Sequence, residues 1–259
     1  MAHGSTHERD SGSPGRPRRR WPIVLAVAVL LGAGIAAYWN SFSGGIVFDD
    51  YVTIRENPSI TNLADLPAVL QPPRDISSSG RPLVNLSLAV NYTLGGTSDM
   101  WSYHAFNLAI HLLATLTLLG VVRRTLLSPP LRERFGRGAL PLAGAVALLW
   151  MLHPLQVQSV TYITQRAESM VSLAYLLTVY CTIRSASSSR IAWSAAAVLS
   201  CATGMLCKEV MVTAPVAVLV YDRLFLAGGW RRALSQRRGL YIGLAVTWLI
   251  WSISFNGQD

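Results

Sequence analysis

The chain has 259 residues, of which 51% are hydrophobic and only 14% are charged. A soluble domain usually carries about 25% charged residues. The apolar residues form unbroken runs about as long as a bilayer is thick. This composition excludes an ordinary soluble protein and predicts an all-α, polytopic transmembrane helix bundle.

Seven apolar runs are candidates for membrane-spanning helices, each of which needs about 20 residues. The first run has basic residues before it and small residues near its end, as a cleaved signal peptide does. Its length of about 18 residues favours an uncleaved anchor. The runs predict about seven spans, at residues 22–39, 104–122, 138–153, 168–183, 191–207, 210–226 and 239–255.

The positions of the basic residues predict the orientation. With the N-terminus in the cytoplasm, 17 of the 22 Lys and Arg residues face the cytoplasm, as the positive-inside rule expects. Residues 1–21 are predicted to be a disordered, basic cytoplasmic tail. The net charge of +9 then reflects topology, so nucleic acid is not an expected partner. The strong bias of Arg over Lys indicates a GC-rich genome and hence a bacterial inner membrane.

The long polar segment, residues 41–103, is the predicted extracytoplasmic loop. Its stretch from Pro82 to Leu94 is predicted to form a helix in the membrane interface, with Pro82 in its first turn. The three cysteines lie in or at the ends of apolar runs without metal-ligand spacing, so the sequence supports neither a disulfide framework nor a zinc site.

Two adjacent carboxylates, Asp49 and Asp50, lie about ten residues beyond the first run. Such a pair repels itself, which can raise the pKa of one member. It can deprotonate a hydroxyl or hold a divalent metal ion. The alternative is that the pair is only a feature of a solvated loop.

Further polar residues are predicted near the same face of the membrane. His104, Asn107 and His111 share one face of the second run, where polar groups either line a wet cavity or form hydrogen bonds between helices. Lys208 lies between two runs and needs a partner, either Glu209 or a bound phosphate. Other candidates are His153 and an interfacial ion pair between Arg166 and Glu168, and the three cations Arg81, Arg166 and Lys208 are candidates to converge on one anion.

The order of these motifs resembles the transmembrane, tetratricopeptide-repeat O-mannosyltransferases and their bacterial relatives, in the C-type glycosyltransferase superfamily. The resemblance covers residues 38–255, within a predicted membrane domain at 22–255. Family members carry further spans and a C-terminal repeat array, so the chain, with its short end at 256–259, looks like a truncated member. The motifs are Val47-Phe48-Asp49-Asp50, Asn57-Pro58, Arg81-Pro82-Leu83, Tyr103-His104, Asn107, His111-Leu112, Leu152-His153-Pro154, Arg166-Ala167-Glu168 and Cys207-Lys208-Glu209.

The resemblance implies an inverting transfer of a sugar, mannose, from a polyprenyl-phosphate donor in the membrane lipid to an acceptor hydroxyl. The implied acceptor is a Ser or Thr of a secreted or membrane protein. Asp49 or Asp50 is then the general base. Some members of the family need no metal, so a divalent ion at the Asp pair is only an option. The resemblance assigns the departing phosphate to Arg81, Arg166 and Lys208, and the lining of the site to His104, Asn107, His111, His153, Glu168 and Glu209.

Two other classes of protein fit parts of this pattern. A transporter or channel component also places His, Lys and Glu residues within helices. A non-catalytic membrane scaffold fits the apparent truncation. An enzyme is favoured because the ionisable residues gather at one membrane face and because the long loop carries an Asp pair.

Overall fold

A computed structural model describes residues 20–188 and 190–256, and those residues form helices and connecting segments without a β-strand, which confirms the all-α prediction. The predicted tail falls mostly on residues 1–19, and the short C-terminal end mostly on 257–259, both outside the described residues. The helices are α1 (Trp21–Tyr38), α2 (Leu66–Leu70), α3 (Pro82–Gly95), α4 (Trp101–Leu126), α5 (Arg132–Phe135), α6 (Ala139–Met151), α7 (Val157–Thr161), α8 (Arg166–Ser187), α9 (Arg190–Met205), α10 (Ala214–Tyr221), α11 (Trp230–Gln236) and α12 (Arg238–Asn256).

Short helical turns of other types extend or join these helices. They arise where the regular α-helical hydrogen-bond ladder stops, for example beside proline. The 3-10 segments are Trp39–Ser43, Pro58–Ile60, Gly136–Gly138, Pro154–Gln156 and Glu209–Thr213, and the π segments are Tyr51–Arg55 and Asp222–Ala227.

All seven predicted apolar runs are largely helical, but fewer qualify as spans by length and composition. Three continuous helical stretches among the described residues do so: Trp21–Ser43, Trp101–Leu126 and Glu209–Ala227. A fourth forms if Arg132–Met151 and Pro154–Thr161, which meet at a bend of 55°, count as one span. These stretches identify an integral membrane protein, and the count of about seven remains a prediction.

The other runs fall short for specific reasons. Helix α8 has 22 residues but carries Arg166, Glu168 and Arg184. Helix α9 has 16 residues, fewer than the roughly 20 that a straight span needs. The apolar part of α12, Arg238–Ile253, is also short. A small residue lets α12 approach α9 closely, since a Cβ on Gly243 would lie 2.6 Å from a methyl carbon of Val198.

The predicted outer loop is folded upon itself. Helix α3 begins at Pro82 and ends at Gly95, which confirms the predicted helix; its position in the membrane interface remains a prediction. Its residue Asn85 is fully buried and holds the loop together, because its amide donates to the Ser59 hydroxyl at 2.9 Å and to the Val69 carbonyl at 2.7 Å. The Asn57 amide in turn donates to the Asn85 side-chain oxygen at 3.0 Å.

Candidate functional site

The two carboxylates of the Asp pair lie in different environments. Asp49 is exposed, whereas Asp50 is only 1% exposed. Asp50 accepts a hydrogen bond from the Thr164 backbone N–H at 2.8 Å and a longer one, 3.4 Å, from the Val47 N–H. Burial raises the pKa of the Asp50 carboxyl above its usual range, and these N–H groups oppose that rise. One acid is therefore available at the surface while its neighbour is fixed beneath it.

The backbone before the pair adopts an unfavourable conformation. Phe48 has a φ of +45°, in the left-handed region that residues with a side chain beyond Cβ rarely adopt. Its side chain is 85% exposed, so packing of its own ring does not explain the conformation. The Asp49 N–H donates to the Tyr162 hydroxyl at 3.0 Å, which holds the following residue in place. Strain of this kind is common at functional sites.

Ser77 connects the exposed acid to a cation. Its hydroxyl donates to the Asp49 carboxylate at 3.1 Å, and its carbonyl accepts from the Arg81 guanidinium at 3.2 Å. Gly80, with a φ of +69°, forms the turn that returns Arg81 toward Ser77. Neither Ser77 nor Tyr162 was a predicted site residue; the run of serines before Gly80 shows a turn but not what the turn contacts.

Arg81 and Lys208 lie in one group of charged side chains. Arg81 forms an ion pair with Glu209 at 3.6 Å, and Lys208 pairs with Glu168. The backbone N–H of Leu83 also donates to the Leu206 carbonyl, so the start of α3 contacts the chain just before Lys208. Of the two partners expected for Lys208, Glu209 or a bound phosphate, Glu209 is not in contact with it, because the chain crosses between α9 and the next 3-10 segment in an extended conformation at Lys208.

Arg166 is fully buried and does not pair with Glu168, so the interfacial ion pair that was the alternative for these two residues does not form. Its guanidinium donates to the Asn91 side chain at 2.7 Å, to the Ser87 hydroxyl at 3.1 Å and to the Tyr103 carbonyl at 3.3 Å. It also lies 4.9 Å from the centre of the Phe106 ring. In this arrangement Arg166 has no surface for a phosphate to contact and instead joins α8 to α3 and α4.

The predicted polar face of α4 is buried against neighbouring backbone. His104 forms a hydrogen bond with the Gly44 carbonyl at 3.2 Å, and His111 forms one with the Met151 carbonyl at 3.0 Å. The Asn107 amide donates to the Val160 carbonyl at 3.3 Å. These contacts favour hydrogen bonding to neighbouring segments over the lining of a wet cavity. His153 is exposed, and its ring nitrogen accepts from the Leu155 N–H at 3.2 Å.

A metal ion fits this site poorly. Divalent ions such as Mg²⁺ and Ca²⁺ need several oxygen ligands. Asp50 is buried with its oxygens already accepting N–H groups, so only the Asp49 carboxylate remains for an ion. Within the described part of the chain, no group of three or more His, Cys, Asp or Glu side chains is placed to hold a metal.

An apolar groove opens beside the charged group. It has a volume of about 350 Å³ and lies between α4, α6, α8 and the segment that follows Lys208. Glu168, the partner of Lys208, lines it together with Leu118, Trp150, Val171, Ser172, Tyr175, Leu176 and Val210. The groove therefore places hydrocarbon surface directly beside an ion pair.

Comparison with known proteins gives relatives of one kind. Protein O-mannosyl-transferase TMTC3 of Homo sapiens is 29% identical over 215 residues, which is 79% of this chain and 22% of the relative. Protein O-mannosyl-transferase Tmtc2 of Drosophila melanogaster is 30% identical over 199 residues, 71% of this chain and 20% of the relative. Protein O-mannosyl-transferase TMTC2 of Homo sapiens is 28% identical over 253 residues, 90% of this chain and 29% of the relative.

These matches limit what the similarity covers. The chain spans between about a fifth and less than a third of the length of these relatives. No family model matches the chain, and no solved structure matches it. The resemblance predicted from the motifs is nevertheless confirmed: over about 80% of its length and at about 29% identity, the chain is homologous to part of the TMTC protein O-mannosyl-transferases.

Proposed function

We propose that the chain carries part of the catalytic site of a mannosyltransferase that uses a polyprenyl-phosphate sugar donor at the extracytoplasmic face of the membrane. The homology to protein O-mannosyl-transferases favours a mannosyl group and a protein hydroxyl as acceptor. The proposal rests chiefly on Ser77, which contacts both the Asp49 carboxylate and the Arg81 guanidinium. One residue thus brings together an acid and a cation, the two groups that the reaction requires.

Asp49 is the general base in this proposal. Its carboxylate is exposed and accepts one side-chain hydrogen bond, so it can reach an acceptor hydroxyl and remove the proton as the oxygen bonds to the anomeric carbon. Asp50 supports it from below: its bonds to Thr164 and Val47 fix the loop on which Asp49 lies. The exposure difference, which the sequence does not show, agrees with the choice of the first acid over the second.

Arg81 and Lys208 stabilise the departing lipid phosphate. Negative charge develops on that phosphate in the transition state, and cations already in place lower the barrier. Each cation now pairs with a carboxylate, Glu209 or Glu168, and a donor phosphate would compete for the same N–H groups. Arg166 acts as a positioning residue, because it is buried and bonded to α3 and α4.

The apolar groove beside Glu168 suits the polyprenyl chain of the donor. It opens next to Lys208, so a lipid lying in it would have its phosphate near that cation. Its lining is mainly aliphatic and aromatic, as burial of hydrocarbon requires. The same juxtaposition would serve a transporter of a lipid-linked substrate less well, since the ion pairs lie at the two ends of the helices and not along them.

The decisive experiment measures mannosyl transfer after Asp49→Asn, in membranes carrying the chain and in a full-length relative changed at the matching residue. General-base assistance is typically worth about 10²–10⁴-fold, so turnover is expected to fall by that order while donor binding is kept. Asp50→Asn is expected to be milder. Asp75→Asn, at another exposed carboxylate of the same loop, is the matched control. Near-normal transfer by both Asp49→Asn and Asp50→Asn would refute the catalytic assignment.

A further inference from the structure

A second groove lies at the end of the bundle away from the candidate site, between α9 and α12. Helix α9 begins at Arg190 and ends at Met205, three residues before Lys208. Its 16 residues rise about 24 Å at 1.5 Å each. The mouth of the groove is therefore separated from Lys208 by most of the thickness of the hydrocarbon core of a bilayer, about 30 Å.

The body of this groove is long and apolar. Its volume is about 590 Å³. The residues that α9 contributes recur every third or fourth position, so they form one face of the helix along roughly 18 Å. They are Ile191, Ser194, Ala195, Val198, Leu199 and Ala202. The shape and lining suit a hydrocarbon chain that lies parallel to the helix.

The mouth of the groove is basic. Arg190, Arg237 and Arg238 line it, and no acidic side chain is among its lining residues. Arg190 and Arg238 are exposed. They are also the first residues of α9 and α12, whose N-terminal ends carry partial positive charge. Two helix ends and two exposed cations therefore favour an anion at the same place.

Arg237 lies beneath the two exposed arginines and already has a partner. Its side chain is only 7% exposed, and one terminal nitrogen donates to both oxygens of Asp222, at 2.5 and 2.7 Å. Its Nε is also buried. The ion pair with Asp222 therefore fixes the residue just before Arg238, and the exposed arginines supply the free positive charge at the mouth of the groove.

A neighbouring groove shares Arg238. It has a volume of about 490 Å³ and is also lined by Arg231, Leu234, Ser235, Tyr241 and Ile242. An anionic group held at Arg238 thus has an apolar groove on each side. A free phosphate would leave both grooves empty, whereas a lipid with two acyl chains would use both.

We propose that Arg190 and Arg238 bind the phosphodiester of an anionic phospholipid, with its acyl chains lying in the grooves on either side of Arg238. The charge of the mouth complements such a headgroup, and basic pockets between membrane helices bind anionic lipids elsewhere. The site is distinct from the proposed catalytic site and does not depend on its activity. The bound lipid would join α9 to the Arg237–Arg238 segment at the start of α12.

Native mass spectrometry of the full purified chain tests this proposal. The probes are phosphatidylglycerol, phosphatidylcholine and inorganic phosphate, each titrated in the same neutral detergent. Phosphatidylglycerol is expected to bind at least about tenfold more tightly than phosphatidylcholine. Inorganic phosphate is expected not to compete at the same concentrations. Equal binding of the two lipids would overturn the proposal, and full competition by phosphate would show an anion site without a lipid.

Matched variants locate the site. Arg190→Gln with Arg238→Gln is expected to weaken phosphatidylglycerol binding about tenfold, and both residues are exposed, so the fold should be kept. Arg132→Gln with Arg134→Gln removes the same charge from another exposed basic segment and is expected to leave binding unchanged. Ala195→Phe fills the groove while keeping every cation, and should also weaken binding. Equal losses in both arginine pairs, or no loss with Ala195→Phe, would contradict the proposal.

Discussion

Asp50 and Thr164, which lie 114 residues apart, are joined by a hydrogen bond of 2.8 Å from the Thr164 N–H to the Asp50 carboxylate. Thr164 belongs to a segment, residues 162–168, in which every second residue contacts a different part of the site. Tyr162 accepts from the Asp49 N–H, Arg166 bonds to α3 and α4, and Glu168 pairs with Lys208. The segment at 162–168 therefore connects the Asp pair to the charged group.

The buried position of Asp50 predicts a pH-dependent stability. Burial raises the pKa of its carboxyl, so the native chain binds this proton more readily than the unfolded chain does. The contribution of this proton to the free energy of unfolding is fully present below the pKa of Asp50 in the unfolded chain, about 3.9. It is lost as the pH rises through the pKa of Asp50 in the folded chain. Asn cannot titrate but still accepts from Thr164. The melting temperature of Asp50→Asn, relative to the original chain, should therefore rise between about pH 3 and pH 7.

Thermal unfolding in detergent at a series of pH values measures this difference, with Asp75→Asn as the exposed control. A relative melting temperature that falls with rising pH would mean that the hydrogen bonds from Thr164 and Val47 outweigh burial. Asp50→Ala should be less stable than Asp50→Asn, because it leaves the buried Thr164 N–H without an acceptor, at a cost of about 1–3 kcal/mol.

Replacement of Arg166 should disrupt folding before it affects donor binding. Arg166→Met removes the donors to Asn91, Ser87 and the Tyr103 carbonyl, and a buried acceptor left unpaired costs about 1–3 kcal/mol. We expect a clear fall in melting temperature and in the yield of folded protein. Asn91→Leu, which removes one partner, should give a smaller loss in the same direction. A stable Arg166→Met protein with weakened donor binding alone would instead support direct phosphate contact.

Lys208→Met should affect the donor, and its carboxylate partner provides the control. Met keeps much of the apolar stem but removes the charge, so donor binding or turnover should fall at least about tenfold, or about 1.4 kcal/mol. Glu168→Gln frees Lys208 from its ion pair and should not weaken donor binding. Donor kinetics in a full-length relative, at the matching residues, measure both effects. Equal losses in the two variants would show that the ion pair is structural.

The orientation predicts opposite responses from reporters in two loops. A fusion at Gly96, in the loop that carries the Asp pair, should be active with a reporter that works only outside the cytoplasm. A fusion at Gly138, beside the arginines of α5, should respond only with a cytoplasmic reporter. This expectation follows from the excess of basic residues on one side. Cytoplasmic activity at Gly96 would contradict both the orientation and an outward-facing site.

Much of the helical architecture follows from local patterns. The long apolar run over 104–122 lies within α4, and Pro82 begins α3, because continuous hydrocarbon and a proline in the first turn favour helices whatever surrounds them. The motif order likewise predicted the homologous family, since each motif is read directly from the chain. The number of spans is harder to predict from the sequence, because length and charge alone do not decide whether α8 and α9 cross the membrane.

The sequence by itself determined that the chain is an all-helical membrane protein, homologous to the O-mannosyl-transferases, with an Asp pair and basic residues as candidate site groups. Only the tertiary structure decided which charges meet. Lys208 pairs with Glu168, 40 residues away, and not with the adjacent Glu209, while Arg166 is buried between helices. The physical reason is that helix packing sets which side chains face each other across space and how much water reaches them. Ser77 joins Asp49 to Arg81 for the same reason, because a turn of the folded loop returns the chain to both.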